Sequence, residues 1–186
     1  MAHDDPHEAR VIARVQQGDA AAYDTLVANY LGRVISIAYG IVRNSHDAED
    51  LAQDAFVRAF QNIARFRTGD PFGPWIYRIV TNLALDVRKH RTKFHHEELG
   101  DDAIAARRDD AELPALTNEI ARRIDVALEE LPEMQRIVAR LHLVEQFDHQ
   151  EIAAMMNLSE GTIRSHLSHA RRKLQEKLAD LYGERA

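Results

Sequence analysis

Between residues 65 and 91 aromatic and cationic side chains are interleaved: Phe66, Phe72, Trp75 and Tyr77 fall among Arg65, Arg67, Arg78, Arg88, Lys89 and Arg91. Single-stranded nucleic acid asks for that mixture, because bases stack on rings while Arg and Lys follow the phosphates. Packing competes with stacking for Trp75, since a lone Trp is more often a core residue. A second group lies further along the chain, where Gly161, Arg164, Ser165, Ser168, His169 and Arg172 share one side of a helical period. The opposite side is a narrow apolar stripe of Ile163, Leu167, Ala170, Leu174 and Leu178. A small, polar, cationic face suits a DNA major groove: long acids repel phosphate, and Arg reaches base edges or backbone. The hydroxyls of Ser159 and Thr162, with the free amides of the helix start, add a phosphate site.

Periodicity alone favours a solvated basic face for that segment. The balance moves towards DNA because a short helix and a tight turn precede a helix with its polar groups in its first turns. A third group, Asp50, Gln53 and Asp54 with Val57, lies beside a core face of Ala48, Leu51, Ala52, Ala55, Phe56 and Ala59. Its residues read equally as an acidic face in solvent.

Catalytic chemistry has little to work with. The chain has no Cys, which removes disulfides and thiolate zinc sites and fits a reducing compartment. No Gly-rich phosphate loop, nucleophile motif or supported carboxylate pair is present, and the adjacent His95 and His96 lack the fixed geometry of a metal-ligand pair. The expectation is a non-enzyme without metal or cofactor. With no long apolar run and a polar, acidic start, "MAHDDPHEAR", neither a membrane span nor a signal peptide is expected, and the protein reads as soluble and cytoplasmic.

The elements that must position these groups are helices throughout. The apolar spacing predicts helices at about 6–17, 20–42 and 45–66, the last capped by Ser45. The stretch "RTGDPFGP" breaks the pattern, and a fourth helix follows from about Pro74 to Lys89. On the second helix Leu26, Val27, Tyr30, Leu31, Val34, Ile35, Ala38 and Tyr39 form a broad apolar stripe. Residues 92–113 are mostly charged and lose the periodicity, which marks a linker between two small all-α domains, 1–91 and 114–186. Helices then return at about 116–130 and 132–144. They are followed by a helical pair with a capping box at Asp148 and Glu151 and a second N-cap at Ser159. Charge follows the same division. Residues 64–93 carry seven Lys/Arg against two acids and 164–177 five against one, whereas 94–133 carry four against twelve, within a net charge of −6. Two polyanion contacts separated by an acidic stretch account for this better than a uniformly acidic protein.

The segment "ALEELPEMQRIVARLHLVEQFDHQEIAAMMNLSEGTIRSHLSHARRKL" resembles the fourth conserved region of bacterial sigma factors of the extracytoplasmic-function (ECF) group. Its landmarks are Leu131-Pro132, Arg136, Leu141, Glu151-Ile152-Ala153, Gly161-Thr162-Ile163, Ser165, Leu167, Ala170-Arg171 and Leu174. The segments "DAEDLAQDAFVRAFQNIARFR" and "PFGPWIYRIVTNLALDVRKHR" resemble the second conserved region of the same group. The chain looks closest to its envelope-stress, sigma-E-like members.

The resemblance implies a factor that binds core RNA polymerase and directs promoter-specific initiation, held in check by an anti-sigma factor. It implies that Asp50, Gln53 and Asp54 dock on the β′ clamp helices. Arg67, Phe72, Trp75, Arg78, Asn82 and Arg88 would serve the melted minus-10 DNA, with the loop 67–74 capturing an extruded base and Asn82 reading or positioning the strand. Ser159, Gly161, Thr162, Arg164, Ser165, Ser168, His169, Arg171 and Arg172 would serve the minus-35 duplex, and the C-terminal domain would also touch the β flap. The alternative is a stand-alone helix-turn-helix transcriptional regulator, which binds duplex DNA without polymerase.

Overall fold

A computed structural model describes residues 6–67, 69–98 and 123–179, with the backbone alone for 92–98. Every regular element among the described residues is helical, and they fall into two compact units. The N-terminal unit contains α1 (Pro6–Gln16), α2 (Tyr23–Val42), α3 (Ser45–Asn62) and α4 (Phe72–Glu98). Short 3-10 turns at Ala20–Ala22 and Ile63–Arg65 precede α2 and extend α3.

The core of this unit is written into three helical stripes. On α3 the whole expected set, Ala48, Leu51, Ala52, Ala55, Phe56 and Ala59, is buried. Four alanines on that face let α2 and α4 approach closely. On α2 the buried set centres on Leu26, Val34, Ile37, Ala38 and Ile41, and Leu31, expected inside, is among the exposed apolar residues. On α4 Phe72, Ile76, Val80 and Ala84 are completely buried. Each such Ile, Val or Phe contributes about 1.5–3 kcal/mol through lost apolar hydration.

The stretch Ala20–Val42 is long and apolar enough on average, by length and composition, to cross a membrane, though Asp24, Asn29 and Arg33 interrupt it. Its packing explains the composition. The helix is the centre of the bundle, in contact with α1, α3 and α4, so more than one of its faces is apolar. Arg33 within it is exposed, with its guanidinium 5.2 Å from the centre of the Tyr77 ring.

Three boundaries differ from the sequence reading. The cap of α3 is Asn44, whose side chain accepts a hydrogen bond from Asp47 N at 3.0 Å, and not Ser45. The shift arises because Arg43 ends α2 in the left-handed region (φ 57°), leaving Asn44 as the extended residue that a cap requires. The fourth helix begins at Phe72, so Pro74 lies within its first turn. It also runs on to Glu98, past the expected linker start at 92. The charged segment after residue 91 has no core stripe, but it contains neither Gly nor Pro before Gly100, so nothing local ends the helix. The remaining linker residues, 99–113, and the first part of the helix expected at 116–130 lie outside the described residues.

The C-terminal unit contains α5 (helical over 123–129), α6 (Glu133–Leu143), α7 (His149–Met156) and α8 (Glu160–Lys177). Ala127, Leu128 and Leu131 pack with Ala139, Ala170 and Leu174, flanked by Ile124 and Leu178. Charge reinforces the same packing: Arg140 reaches Asp125 at 2.7 Å, half-buried Glu129 lies 3.6 Å from Arg136, and Lys177 pairs with Glu130. The buried end of α8 is thereby tied to α5 by both apolar packing and an ion pair.

Candidate nucleic-acid interface

The pair α7–α8 is shaped by its caps. Asp148 Oδ1 accepts from Glu151 N at 2.8 Å while Glu151 Oε2 accepts from Asp148 N at 2.9 Å, the reciprocal capping box expected from the spacing. Asn157 ends α7 in the left-handed region (φ 54°), and Ser159 then starts α8 by accepting from Thr162 N at 3.1 Å. Three residues, Asn157 to Ser159, therefore make the whole turn between the two helices.

The expected division of α8 is present in the structure. Ile163, Leu167, Ala170 and Leu174 are buried, whereas Gly161, Arg164, Ser165, Ser168, His169, Arg171 and Arg172 are exposed. Thr162 is half-buried, and its hydroxyl lies 2.8 Å from Ser159 Oγ, so both hydroxyls serve the cap. Gly161 carries separate information. A Cβ there would meet only Ser159 Oγ, at 3.7 Å, an ordinary approach, so the fold does not require glycine at this position. What glycine provides is uncovered backbone on the exposed face.

Around the start of α4, an aromatic cluster joins the two sides of the loop. The Phe66 ring lies tilted against Trp75 with centroids 4.6 Å apart, and Phe72 meets Trp75 edge-on at 5.6 Å. Phe72 also touches Tyr30 at 5.3 Å, Tyr23 at 6.5 Å and Phe66 at 6.1 Å. Such tilted and edge-on pairs add to the area they bury. Here the sequence reading needs correction: Phe72 is 0% exposed, so its ring has no surface to present to a base, and it belongs to the core because it heads the buried stripe of α4. Trp75 is half-buried, with part of its surface open beside that core.

Along α4 the structure gathers Trp75, Arg78 and Asn82 on one face, at spacings of three and four, and Arg78 and Asn82 are exposed. Arg67 is exposed in the loop before it. Arg88 is not part of this group: it is half-buried and turned roughly 80–140° away from the other three at 100° per residue. The face continues instead to Lys89, already among the interleaved cations of the sequence, and to Asp86, which sequence reasoning did not single out; their charges lie 3.8 Å apart. The three-and-four spacing from Asn82 carried that signal.

The buried aromatics also set the protonation chemistry nearby. Burial pushes the Tyr23 phenol well above its ordinary range, and burial followed by the hydrogen bond to Glu8 does the same for Tyr30. Both phenols therefore remain neutral donors at physiological pH. Tyr23 Oη donates to Phe56 O at 2.8 Å and Tyr30 Oη to Glu8. At the other end of the unit, Arg91 donates to Asp47 at 2.7 Å, and that hydrogen bond raises the Arg91 pKa.

On α3, Asp50, Gln53 and Asp54 are all exposed on one face, with His46 Nδ1 3.5 Å from Asp50. Val57, 54% exposed, lies on the same face and Phe60, 43% exposed, flanks it. Phe60 was missed by sequence reasoning because an aromatic three residues from Val57 reads as core. Its ring does touch the core at one edge, 5.0 Å from Tyr23. Among the described residues no group of His, Asp or Glu is arranged to hold a metal ion.

Comparison with known proteins puts one family match in each compact unit. The family model described as Sigma-70 region 2 matches residues 26–94, and that described as Sigma-70, region 4, matches residues 121–174. The ECF RNA polymerase sigma factor SigW of Bacillus subtilis is 31% identical over 91% of this chain and 96% of its own length. The RNA polymerase sigma-H factor of Pseudomonas aeruginosa is 30% identical over 95% and 96%. The fold is also that of the sigma factor RpoE from Bartonella quintana, solved with the anti-sigma factor NepR: TM-score 0.69, 24% identity, 84% of this chain and 96% of that one. CnrH, solved with the cytosolic domain of CnrY, gives a TM-score of 0.65 at 22% identity, over 92% and 97%.

Proposed function

The chain belongs to the ECF group of sigma factors, transcription initiation factors that direct RNA polymerase to promoters, and from that membership we propose how its surfaces divide the work. Asp50, Gln53 and Asp54, with Val57 beside them, form the face that docks on the β′ clamp helices of core polymerase. Acidic side chains meeting basic ones there set orientation and on-rate, and the apolar Val57 supplies burial. Arg67, Trp75, Arg78 and Asn82 take the melted minus-10 strand, Trp75 through its open surface and the cations along the phosphates. The exposed face of α8, from Ser159 to Arg172, reads the minus-35 duplex from the major groove.

The observation that carries this reading is the pairing of two different cationic surfaces in one acidic chain. One is aromatic and adjoins a loop; the other is small, polar and helical. A stand-alone regulator needs only the second. The N-terminal unit through α4 is the region 2-like domain, the segment between α4 and α5 the linker, and the unit from α5 onwards the region 4-like domain. We infer further that the C-terminal unit touches the β flap, that the protein acts in the cytoplasm and that an anti-sigma factor covers one or both units. The RpoE structure of the same fold, solved with an anti-sigma factor, supports the last inference.

Reconstituted transcription tests the reading. Core polymerase with this protein starts at a specific promoter, and unpaired minus-10 thymines become reactive to permanganate. Asn82→Ala and Arg67→Ala reduce that reactivity more than they reduce minus-35 binding. Absence of any start site with cognate core enzyme, together with tight operator binding by the protein alone, would replace this reading with that of a stand-alone regulator.

A further inference from the structure

The loop between the 3-10 turn Ile63–Arg65 and α4 carries the exposed Arg67 and leads into the helix that bears Trp75, Arg78 and Asn82, and helix α1 holds it at both ends. At its entry, Gln16 Nε2 donates to two carbonyls, Ile63 O at 2.8 Å and Phe66 O at 2.7 Å. At its exit, Glu8 Oε1 accepts from Phe72 N at 3.0 Å, and the second oxygen of the same carboxylate accepts from Tyr30 Oη. A carboxylate at that amide also lies at the positive end of the α4 dipole. Glu8 and Gln16 stand on the same side of α1, about 12 Å apart along its axis. Among the described residues of the loop, Asp70 N donates to Arg67 O at 3.1 Å, beside Gly69 at φ 105°.

Close packing surrounds the exit. A Cβ on Gly73 would come within 3.1 Å of Tyr30 and 3.2 Å of Tyr77, so glycine there lets Tyr30 lie against the start of α4 while it holds Glu8. Helix α1 is fixed to the bundle by Val11, Ile12 and Val15, all buried. It also precedes the segment that matches the region 2 family model, which starts at residue 26. The match to that model therefore leaves the role of α1 unassigned.

We propose that α1 is a splint for the strand-capturing loop, with Glu8 and Gln16 as positioning residues that fix its two ends, at Phe66 and Phe72, before DNA arrives. The proposal rests on the reading that Arg67, Trp75, Arg78 and Asn82 take the melted minus-10 strand. A loop fixed in advance does not lose its conformational entropy when the extruded base enters, so the cost of opening falls. Each hydrogen bond removed lowers the ratio of ordered to disordered loop by about fivefold.

The test uses full-length protein with core polymerase and promoter DNA, comparing Gln16→Leu, Glu8→Ala, Glu8→Gln and Asn82→Ala. Gln16→Leu keeps the side-chain bulk and loses both donors. Glu8→Gln keeps an acceptor for Phe72 N and a partner for Tyr30. Expected are a loss of about five- to thirtyfold in permanganate reactivity for Gln16→Leu and Glu8→Ala, unchanged affinity for core enzyme, and opening within about twofold of the parent for Glu8→Gln. Normal opening by Gln16→Leu and Glu8→Ala, while Asn82→Ala opens poorly, would overturn the splint and leave the minus-10 reading standing. Normal opening by Asn82→Ala as well would remove both. A loss of core affinity in proportion to the loss of opening, or a Glu8→Gln variant as defective as Glu8→Ala, would reduce α1 to a structural helix and overturn the proposal.

Discussion

Replacing Phe72 distinguishes a ring that holds the fold from a ring that holds a base. The side chain is fully buried against Tyr23, Tyr30, Phe66 and Trp75. Truncation to Ala removes its transfer free energy and leaves a cavity between α2 and α4, a cost of about 3–5 kcal/mol. The edge-on and tilted ring pairs place it towards the upper end of that range. For a unit of this size, 1 kcal/mol moves the melting temperature by about 4–8 °C, so Phe72→Ala lowers it by upwards of about 12 °C. Phe72→Leu retains an apolar side chain of similar size and costs less than about 1.5 kcal/mol. The assay is urea unfolding of both variants beside permanganate footprinting with core polymerase. A core residue predicts that Leu nearly restores both stability and promoter opening. If Phe72→Leu unfolds at the parent urea concentration but fails to open the promoter, the ring is needed on the DNA and the packing argument is refuted.

Reversing Asp50 and Asp54 to Lys abolishes association with core polymerase in pull-down, while the circular dichroism spectrum stays that of the parent, because both side chains are exposed; parent-like pull-down would show that this face is only solvated. Arg164→Ala and Arg171→Ala each lower the slope of log K against log salt for minus-35 duplex binding by about one unit for every phosphate that the arginine neutralised. Unchanged binding in both across a salt titration would remove α8 as the recognition helix. Gly161→Ala raises thermal stability by up to about 1 kcal/mol, since nothing in the fold opposes a methyl group there. It nevertheless weakens duplex binding several-fold by blocking close approach of the helix backbone, and unimpaired binding would move the DNA away from the first turn of α8.

Much of the helix pattern is legible because its causes are local. The capping box of α7 is a matter of Asp and Glu three residues apart, and the core stripe of α3 depends on alanines recurring at helical spacing. The exposed face of α8 follows from the same rule. Where the reading departed from the structure, the deciding cause was more distant or had no pattern at all. A left-handed Arg43 moved the α3 cap to Asn44, and nothing in residue type announces an arginine in that conformation. The continuation of α4 to Glu98 shows the converse: losing the apolar stripe does not end the helix.

Phe72 shows most directly why a site is harder to read than a fold. The spacing of Phe72, Ile76 and Val80 is a core stripe once the helix is known to begin at Phe72. Its start is stabilised by the Glu8 carboxylate, 64 residues earlier in the chain, a partner that "RTGDPFGP" itself does not announce. Begun at Pro74 instead, the same helix leaves Phe72 in a loop among arginines, where stacking on a base is the natural reading. That distant hydrogen bond lies where Phe72 enters the protein interior, and Trp75, three residues on, retains surface for a strand. Gln16, 47 and 50 residues from the carbonyls it holds, acts across the same gap. The groups that would capture the strand are therefore local in sequence, while the groups that fix their geometry are not.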